Sequence, residues 1–351
     1  MKAAPIHEAF GKVGVTHGLV HTGQHYDAAM SKVFFEDLGM PRPIVDLGVG
    51  SGTHAEQTGA VMVGLEKYFR ETRPRAVLVV GDVNSTMAAA IVAAKMGIFC
   101  AHVEAGLRSG DWEMPEEINR VVTDRLADLL LTPSPDGDQN LRQEGCAEES
   151  IVRVGNVMID TLQQHLPKAR SLAVHERFSL PPHGYGVVTL HRPSNVDNPQ
   201  VLGRILDALA EIAQKLPIVF PIHPRTRRQA TEAGLGPRLD KTPNLMATAP
   251  LGYLEFLSLT SLARAVFTDS GGLQEESTVL GIPCLTLREN TERPITISQG
   301  TNVLVGSDPA AILREAERAL ARPIGAPHPV PELWDGKTGP RIVQAVLNKL
   351  S

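Results

Sequence analysis

The sequence predicts an α/β protein made of two doubly wound, Rossmann-like domains that face a central cleft. Three observations carry that prediction. Short apolar runs alternate with longer amphipathic stretches along nearly the whole chain, as in βαβ units around a parallel sheet. The 351 residues exceed what one core usually holds and fit two domains. Several apolar runs end on an acid, a histidine or a glycine turn just before a helix, which is where such sheets bind ligands.

The chain opens on a helical pattern, Ala3 to Phe10, with no strand before it. A doubly wound domain normally begins with a strand whose loop carries a phosphate-binding turn, so the first N-terminal strand is missing. Apolar runs then predict strands at Gly18–His21, Ala76–Val80, Phe99–Val103, Leu129–Leu131 and Ile151–Val154. Helices fall between them, among them Ser85–Met96 and Glu117–Ala127. From Gln163 to Gly184, Pro167, Pro181 and Pro182 interrupt any strong period and mark the linker. The second half repeats the plan, with strands at Val187–Leu190, Ile218–Ile222, Leu245–Ala247, Val266–Thr268, Cys284–Leu287 and Val303–Val305. Arg341–Leu350 closes the chain as a helix that could pack on either domain.

Composition excludes several classes. Hydrophobic residues at 42% and charged residues at 21% are ordinary globular values, and a net charge of -5 implies no basic face for nucleic acid. No apolar stretch approaches the ~20 residues that span a bilayer, and no signal-peptide pattern is present. Cys100, Cys146 and Cys284 are odd in number and far apart, which fits reduced thiols in a cytoplasmic protein. His21 and His25 have i, i+4 spacing, but Gly23 lies between them and no acidic third ligand follows, so no metal is expected. The Gly48-Val49-Gly50-Ser51-Gly52 run is no dinucleotide loop, since no strand-borne GxGxxG opens the chain and no ribose acid is correctly spaced.

The segment TDSGGLQEE, Thr268 to Glu276, is the most informative. An apolar run feeds a Ser-Gly-Gly turn, and Gln274-Glu275-Glu276 opens a helix. Free N–H groups and a positive dipole end there suit a phosphate. A carboxylate so near a phosphate needs another duty, and a ribose diol supplies one; a plain helix cap with acids placed for the dipole is the competing explanation. In the first half, Asp82 and Glu104 each close an apolar strand, and Glu116 and Glu117 start a helix after Pro115. Helix capping would explain Asp82, a pair with Arg108 would explain Glu104, and the dipole would explain Glu116. Converging on one cleft wall, the three acids would shift one another's pKa values apart, as acid and base roles require. His191-Arg192 and His223 end neighbouring strands and favour a pyrophosphate pocket, with Arg288 and the Glu292-Arg293 turn adding positive charge.

Taken in order, TGQH (Thr22–His25), HVEAGLRSGD, PEEINR, GNVMID (Gly155–Asp160), TLHRPSNVDN, PIHP, TDSGGLQEE and TERP make the chain resemble the non-hydrolysing UDP-N-acetylglucosamine 2-epimerases. The resemblance runs from Ala3 to about Gly306. It implies the GT-B architecture: residues 1–165 as the first domain, 166–335 as the UDP-binding domain, and 336–351 packing back on the first. It also implies interconversion of UDP-GlcNAc and UDP-ManNAc by elimination and re-addition of UDP through a 2-acetamidoglucal, feeding surface polysaccharide synthesis. By carry-over, Asp82, Glu104, Glu116 and His191 match the catalytic residues. Arg108, His223, Ser270, Gly271, Gly272, Glu276 and Arg293 match the UDP site, with Gln24, His25 and Arg192 as further cleft candidates. A homodimer without cofactor or metal is implied. Three departures stand out: the family's opening strand and GTRPE loop are absent, HRPSN replaces an HRREN-like form, and TERPITISQGTN replaces the TERPE continuation. A related UDP-sugar such as a diacetamido uronic acid, a hydrolysing epimerase, a GT-B glycosyltransferase, or an inactive UDP-sugar-binding protein would use the same pocket.

Overall fold

The computed structural model describes residues 1–23 and 39–351, so Gln24 and His25 lie outside the described residues. The chain forms two compact units, residues 1–161 with 332–351, and residues 162–331. Among the described residues no helix is long and apolar enough to cross a membrane.

The first unit holds a parallel four-stranded sheet, β3 (Ala76–Val80), β4 (Phe99–Val103), β5 (Leu129–Thr132) and β6 (Ile151–Arg153), in that spatial order. Beside it β1 (Val20–His21) pairs in parallel with β2 (Val45–Asp46), a strand too short to leave a period in the sequence. One face of the four-stranded sheet buries Val103, Leu129, Leu131 and Val154 against Ile6 of the opening helix and Ile342 and Val346 of the closing one. The other face buries Val79 and Cys100 against Val61, Leu65, Ala88 and Ala93. Asp160 accepts hydrogen bonds from Thr338 N and Gly339 N, at 3.1 and 2.7 Å, and so anchors the start of the closing helix. Gly23 serves a close backbone approach to the run around position 48: a Cβ on Gly23 would lie 2.9 Å from the Gly48 Cα.

The second unit is a parallel six-stranded sheet in the order β12-β11-β10-β7-β8-β9. Its strands are β7 (Gly186–Thr189), β8 (Ile218–Pro221), β9 (Leu245–Thr248), β10 (Ala265–Thr268), β11 (Cys284–Thr286) and β12 (Asn302–Leu304). Both faces are covered, so these strands read as near-continuous apolar runs. The register lines up three strand ends, with Thr268 opposite Thr189 on one side and Thr286 on the other.

Two local expectations are corrected. The stretch from Gln163 is ordered, because the helix Val157–Ser171 runs through it with Pro167 inside, and a 3-10 turn covers Val174–Phe178. The helix after β10 begins at Gly271, with Ser270 as N-cap, so Glu275 and Glu276 sit on its second turn and not its first. Glycine's low helix propensity hid that start.

Candidate functional site

In the first unit the ends of adjacent strands β3 and β4 present Asp82 and Glu104. Asp82 is part-exposed and rests on Arg120, which is almost wholly buried; the Arg120 Nε and a terminal nitrogen reach Asp82 Oδ2 at 3.0 and 2.8 Å. Arg120 also pairs with Glu117, whose carboxylate accepts from the backbone of Ser109 and Gly110. Glu104 is buried and sits at φ 72°, a left-handed conformation that non-glycine residues avoid unless their surroundings impose it. Its Oε2 takes the Lys2 ammonium at 2.5 Å, while Oε1 is buried without a hydrogen-bond partner among the described residues. A buried carboxylate oxygen in that state is costly, and a ligand donor would relieve it. Gly81 lies in the same corner: a Cβ there would come 3.4 Å from Lys2 Nζ and 3.9 Å from Glu104 Oε2. Glu116 occupies the first turn of the helix Pro115–Leu126, half-buried, and makes no ion pair or hydrogen bond among the described residues.

Arg108 has a different place from the one expected. Its fork grips Glu144 at 2.7 Å on both sides, and a further nitrogen lies 2.8 Å from Asp124. Those carboxylates belong to its own unit, so its guanidinium fixes the loop after β4 and the geometry does not support a UDP contact. The Glu104–Arg108 pair does not form either, since Lys2 takes the Glu104 side chain.

In the second unit the polarity reverses. His191 follows β7 with its ring about half exposed, and its Nδ1 lies 2.9 Å from Oδ1 of the fully buried Asp269. Asp269 also accepts from His191 N, Arg192 N and the Asn195 amide, at 3.0, 2.9 and 3.2 Å. Burial pushes the Asp269 carboxyl up, but the His191 ring and these N–H groups outweigh it and hold the carboxyl below the usual range. The anionic Asp269 fixes the proton on His191 Nδ1, which turns the other ring nitrogen outward. His223 caps the helix Pro224–Glu232 through Nδ1, which accepts from Arg225 N at 3.2 Å. Desolvation, His191 and Arg225 all lower its pKa.

Ser270 makes no side-chain cap to the helix it begins, so the first-turn N–H groups of Gly271 and Gly272 have no hydroxyl capping them. Beneath Gly271 lies an ion-pair layer: Arg293 pairs with Glu292 and, at 2.6 Å, with Glu275, while Arg288 and Arg192 approach Glu292 at 2.9 and 3.7 Å. A Cβ on Gly271 would strike Arg293 at 2.5 Å and Glu292 at 2.7 Å, so any side chain there must displace this ion pair. Three arginines against two glutamates leave this layer positive by one charge, which suits an anion above it. Glu276 is buried and accepts from the Tyr253 hydroxyl at 3.2 Å; desolvation raises its carboxyl to about 7, with Glu275 adding to the rise.

Reasoning from sequence missed Lys2, Arg120, Asp269 and Tyr253. A strand-end acid or histidine signals that some buried counter-group exists, but the group itself comes from far along the chain.

The two parallel-sheet units define a fold of GT-B type. The sequence pattern of UDP-N-acetylglucosamine 2-epimerase matches residues 9–347. The UDP-N-acetylglucosamine 2-epimerase of Methanocaldococcus jannaschii is 41% identical over 98% of this chain and 94% of its own. The crystal structure of the M. jannaschii UDP-GlcNAc 2-epimerase in complex with UDP-GlcNAc and UDP is similar with a TM-score of 0.91, covering 99% of this chain and 96% of that one. The Pseudomonas aeruginosa UDP-2,3-diacetamido-2,3-dideoxy-D-glucuronate 2-epimerase is also 41% identical, over 87% of this chain and 84% of its own. The chain belongs to the UDP-N-acetylglucosamine 2-epimerase family, whose members are isomerases.

Proposed function

We propose that the protein interconverts UDP-GlcNAc and UDP-ManNAc by inversion at C2. The observation that carries this reading is the pair of cation-backed acids on adjacent strand ends, Asp82 over Arg120 and Glu104 beside Lys2. The C2 proton is not next to a carbonyl, so it leaves only if an electron pair can leave with UDP. One acid/base group takes the proton, the C1–O bond to UDP breaks with its electron pair going to the β-phosphate, and a C1–C2 double bond forms. Return of the proton to the opposite face of C2, with UDP oxygen bonding C1 again, completes the inversion. Asp82, Glu104 and Glu116 supply the acid/base groups. The Ser270 hydroxyl and the N–H groups of Gly271 and Gly272 hold the diphosphate, with the His223 Nε2–H adding a donor as charge develops on the leaving group, and His191 donating through Nε2 in its doubly protonated form. Arg192 and Arg293 carry positive charge beneath them, and Glu276 takes the ribose diol.

The P. aeruginosa relative favours a second reading, in which the sugar is a diacetamido uronic acid. One experiment tests both. Each UDP-sugar is incubated with the protein in D2O and C2 is followed by NMR. Deuterium at C2 with both UDP-linked epimers present is expected for the true substrate. Free ManNAc with UDP would mean hydrolysis, and UDP binding without exchange on either sugar would overturn the enzymatic reading.

A further inference from the structure

We infer that the buried His102–Asp124 pair is a positioning device that holds the Asp82 and Glu104 turns in register with each other; this rests on the epimerase reading proposed above. His102 is wholly buried on β4, two residues before Glu104. Its Nε2 lies 2.9 Å from Gly81 O, the carbonyl just before Asp82, and its Nδ1 lies 2.6 Å from Asp124 Oδ1. A carbonyl can only accept, so Nε2 carries a proton. The other Asp124 oxygen accepts from Gly106 N at 3.0 Å, inside the turn that Glu104 begins. One imidazole and one carboxylate therefore bridge two strand-end turns: Gly81–Asp82 through the ring, and Glu104–Gly106 through the acid.

Both turns contain left-handed residues, and of these Glu104 is the one without glycine's conformational freedom. Gly81, Glu104 and Gly106 have φ of 76°, 72° and 81°. A residue other than glycine is held left-handed at Glu104 only by what surrounds it. Gly106 is pressed so closely to the Gly137 backbone that a Cβ would sit 2.3 Å from its carbonyl oxygen. Arg108 adds a third contact to Asp124 at 2.8 Å and ties the pair to the rest of the loop. Neither His102 nor Asp124 is exposed to a substrate, since their side chains are 0% and 1% accessible, so they act through the two acids they locate.

The test measures C2 deuterium exchange per UDP-binding site, with UDP titration counting folded protein. His102→Ala removes both contacts and is expected to lower kcat about a hundredfold with KM within about threefold, the size of effect that a misplaced catalytic group produces. His102→Gln keeps an N–H for Gly81 O and is expected to recover about tenfold of that loss, as a positioning role requires. Asp124→Asn is expected to fall about as far as His102→Ala, and the double variant no further than the worse single one, because the two act as a unit. If the alanine variant does not bind UDP, the glutamine and asparagine variants decide the question alone. Exchange within about twofold of the parent in those variants, or losses that multiply in the double variant, would overturn the inference. A lowered melting temperature with unchanged exchange per site would also overturn it and leave the pair a packing element. Absence of exchange in the parent on either sugar is a distinct result, and removes the epimerase reading together with this one.

Discussion

The exposed strand-end groups of the two units are opposites in kind, a carboxylate over a buried cation in the first and an imidazole over a buried carboxylate in the second. In the first unit Asp82, 27% accessible, stands on Arg120 at 2%; in the second His191, 47% accessible, stands on Asp269 at 0%. Each surface group is held by a buried, charged partner, and the partner's own charge is satisfied by further hydrogen bonds. The difference lies in what faces outward. The first unit offers carboxylates, suited to taking and returning a proton, while the second offers a ring nitrogen and backbone N–H groups, suited to a phosphate leaving group. On the proposed function, chemistry and nucleotide binding fall to different units, and substitutions should separate them.

The largest separation is expected in the first unit. Asp82→Asn or Glu104→Gln should reduce C2 exchange by about a thousandfold or more while UDP affinity stays within about threefold. Calorimetric UDP titration beside the D2O assay checks this, and a parallel collapse of UDP affinity would break the division of labour. Removing the buried backer instead tests stability: Arg120→Met leaves Asp82 and Glu117 without their cation and should cost about 3 kcal/mol in urea unfolding.

In the second unit the pattern should invert. His191→Asn is expected to lower exchange about a hundredfold and also to weaken UDP, because the same ring meets the phosphate in both states. Asp269→Asn should follow it, since the amide has one accepting oxygen in place of two for the His191 ring and the surrounding N–H groups, and no charge to hold the ring proton. Gly271→Ala is a smaller and purely nucleotide effect. The added methyl meets Arg293 and Glu292, so UDP should bind about thirtyfold more weakly, on the order of 2 kcal/mol, with the first unit unaffected.

Distance along the chain decided how much of this was legible in the sequence. Asp82, Glu104 and the strand and turn of the Thr268–Glu276 segment could be placed because strand and turn are contiguous there, and local pattern reports local structure; the glycines hid only the helix start. Their partners could not. Arg120 lies 38 residues from Asp82, Lys2 lies 102 from Glu104, and Asp269 lies 78 from His191. Arg120 sits in a helix with two glutamates in its first turn, where an arginine ordinarily points to water; only the packing of that helix against the helix Asn84–Met96 and β4 buries it. Arg108 shows the reverse failure. A strand-end arginine in a phosphate-binding fold suggests a ligand contact, yet Asp124 and Glu144 converge on it from later elements and engage it internally.

The gentlest probe of the comparison is pH, because burial raises the Glu276 carboxyl of the proposed nucleotide cradle toward neutrality. Burial lifts its carboxyl to about 7, above its ordinary value of 4.5. A ribose diol needs the ionised form, which accepts two hydroxyl donors, so UDP affinity should fall as pH drops through 7. Between pH 8 and pH 6 the expected loss is about tenfold, the fraction of ionised carboxylate setting the scale. UDP's own phosphate titrates in the same range, so the parent is compared with Glu276→Gln, which keeps that contribution and should lose the extra slope. The unliganded protein gives the complementary sign. A carboxyl with a raised folded-state pKa contributes stability that is fully present below 4.5 and lost as pH rises through about 7. Unliganded Glu276→Gln should therefore be more stable than the parent at pH 8, and the advantage should shrink toward pH 4.5. Urea midpoints at the two pH values measure it, and equal midpoints at pH 8 would mean that Glu276 is ionised at no cost, leaving its ribose role without a pH signature.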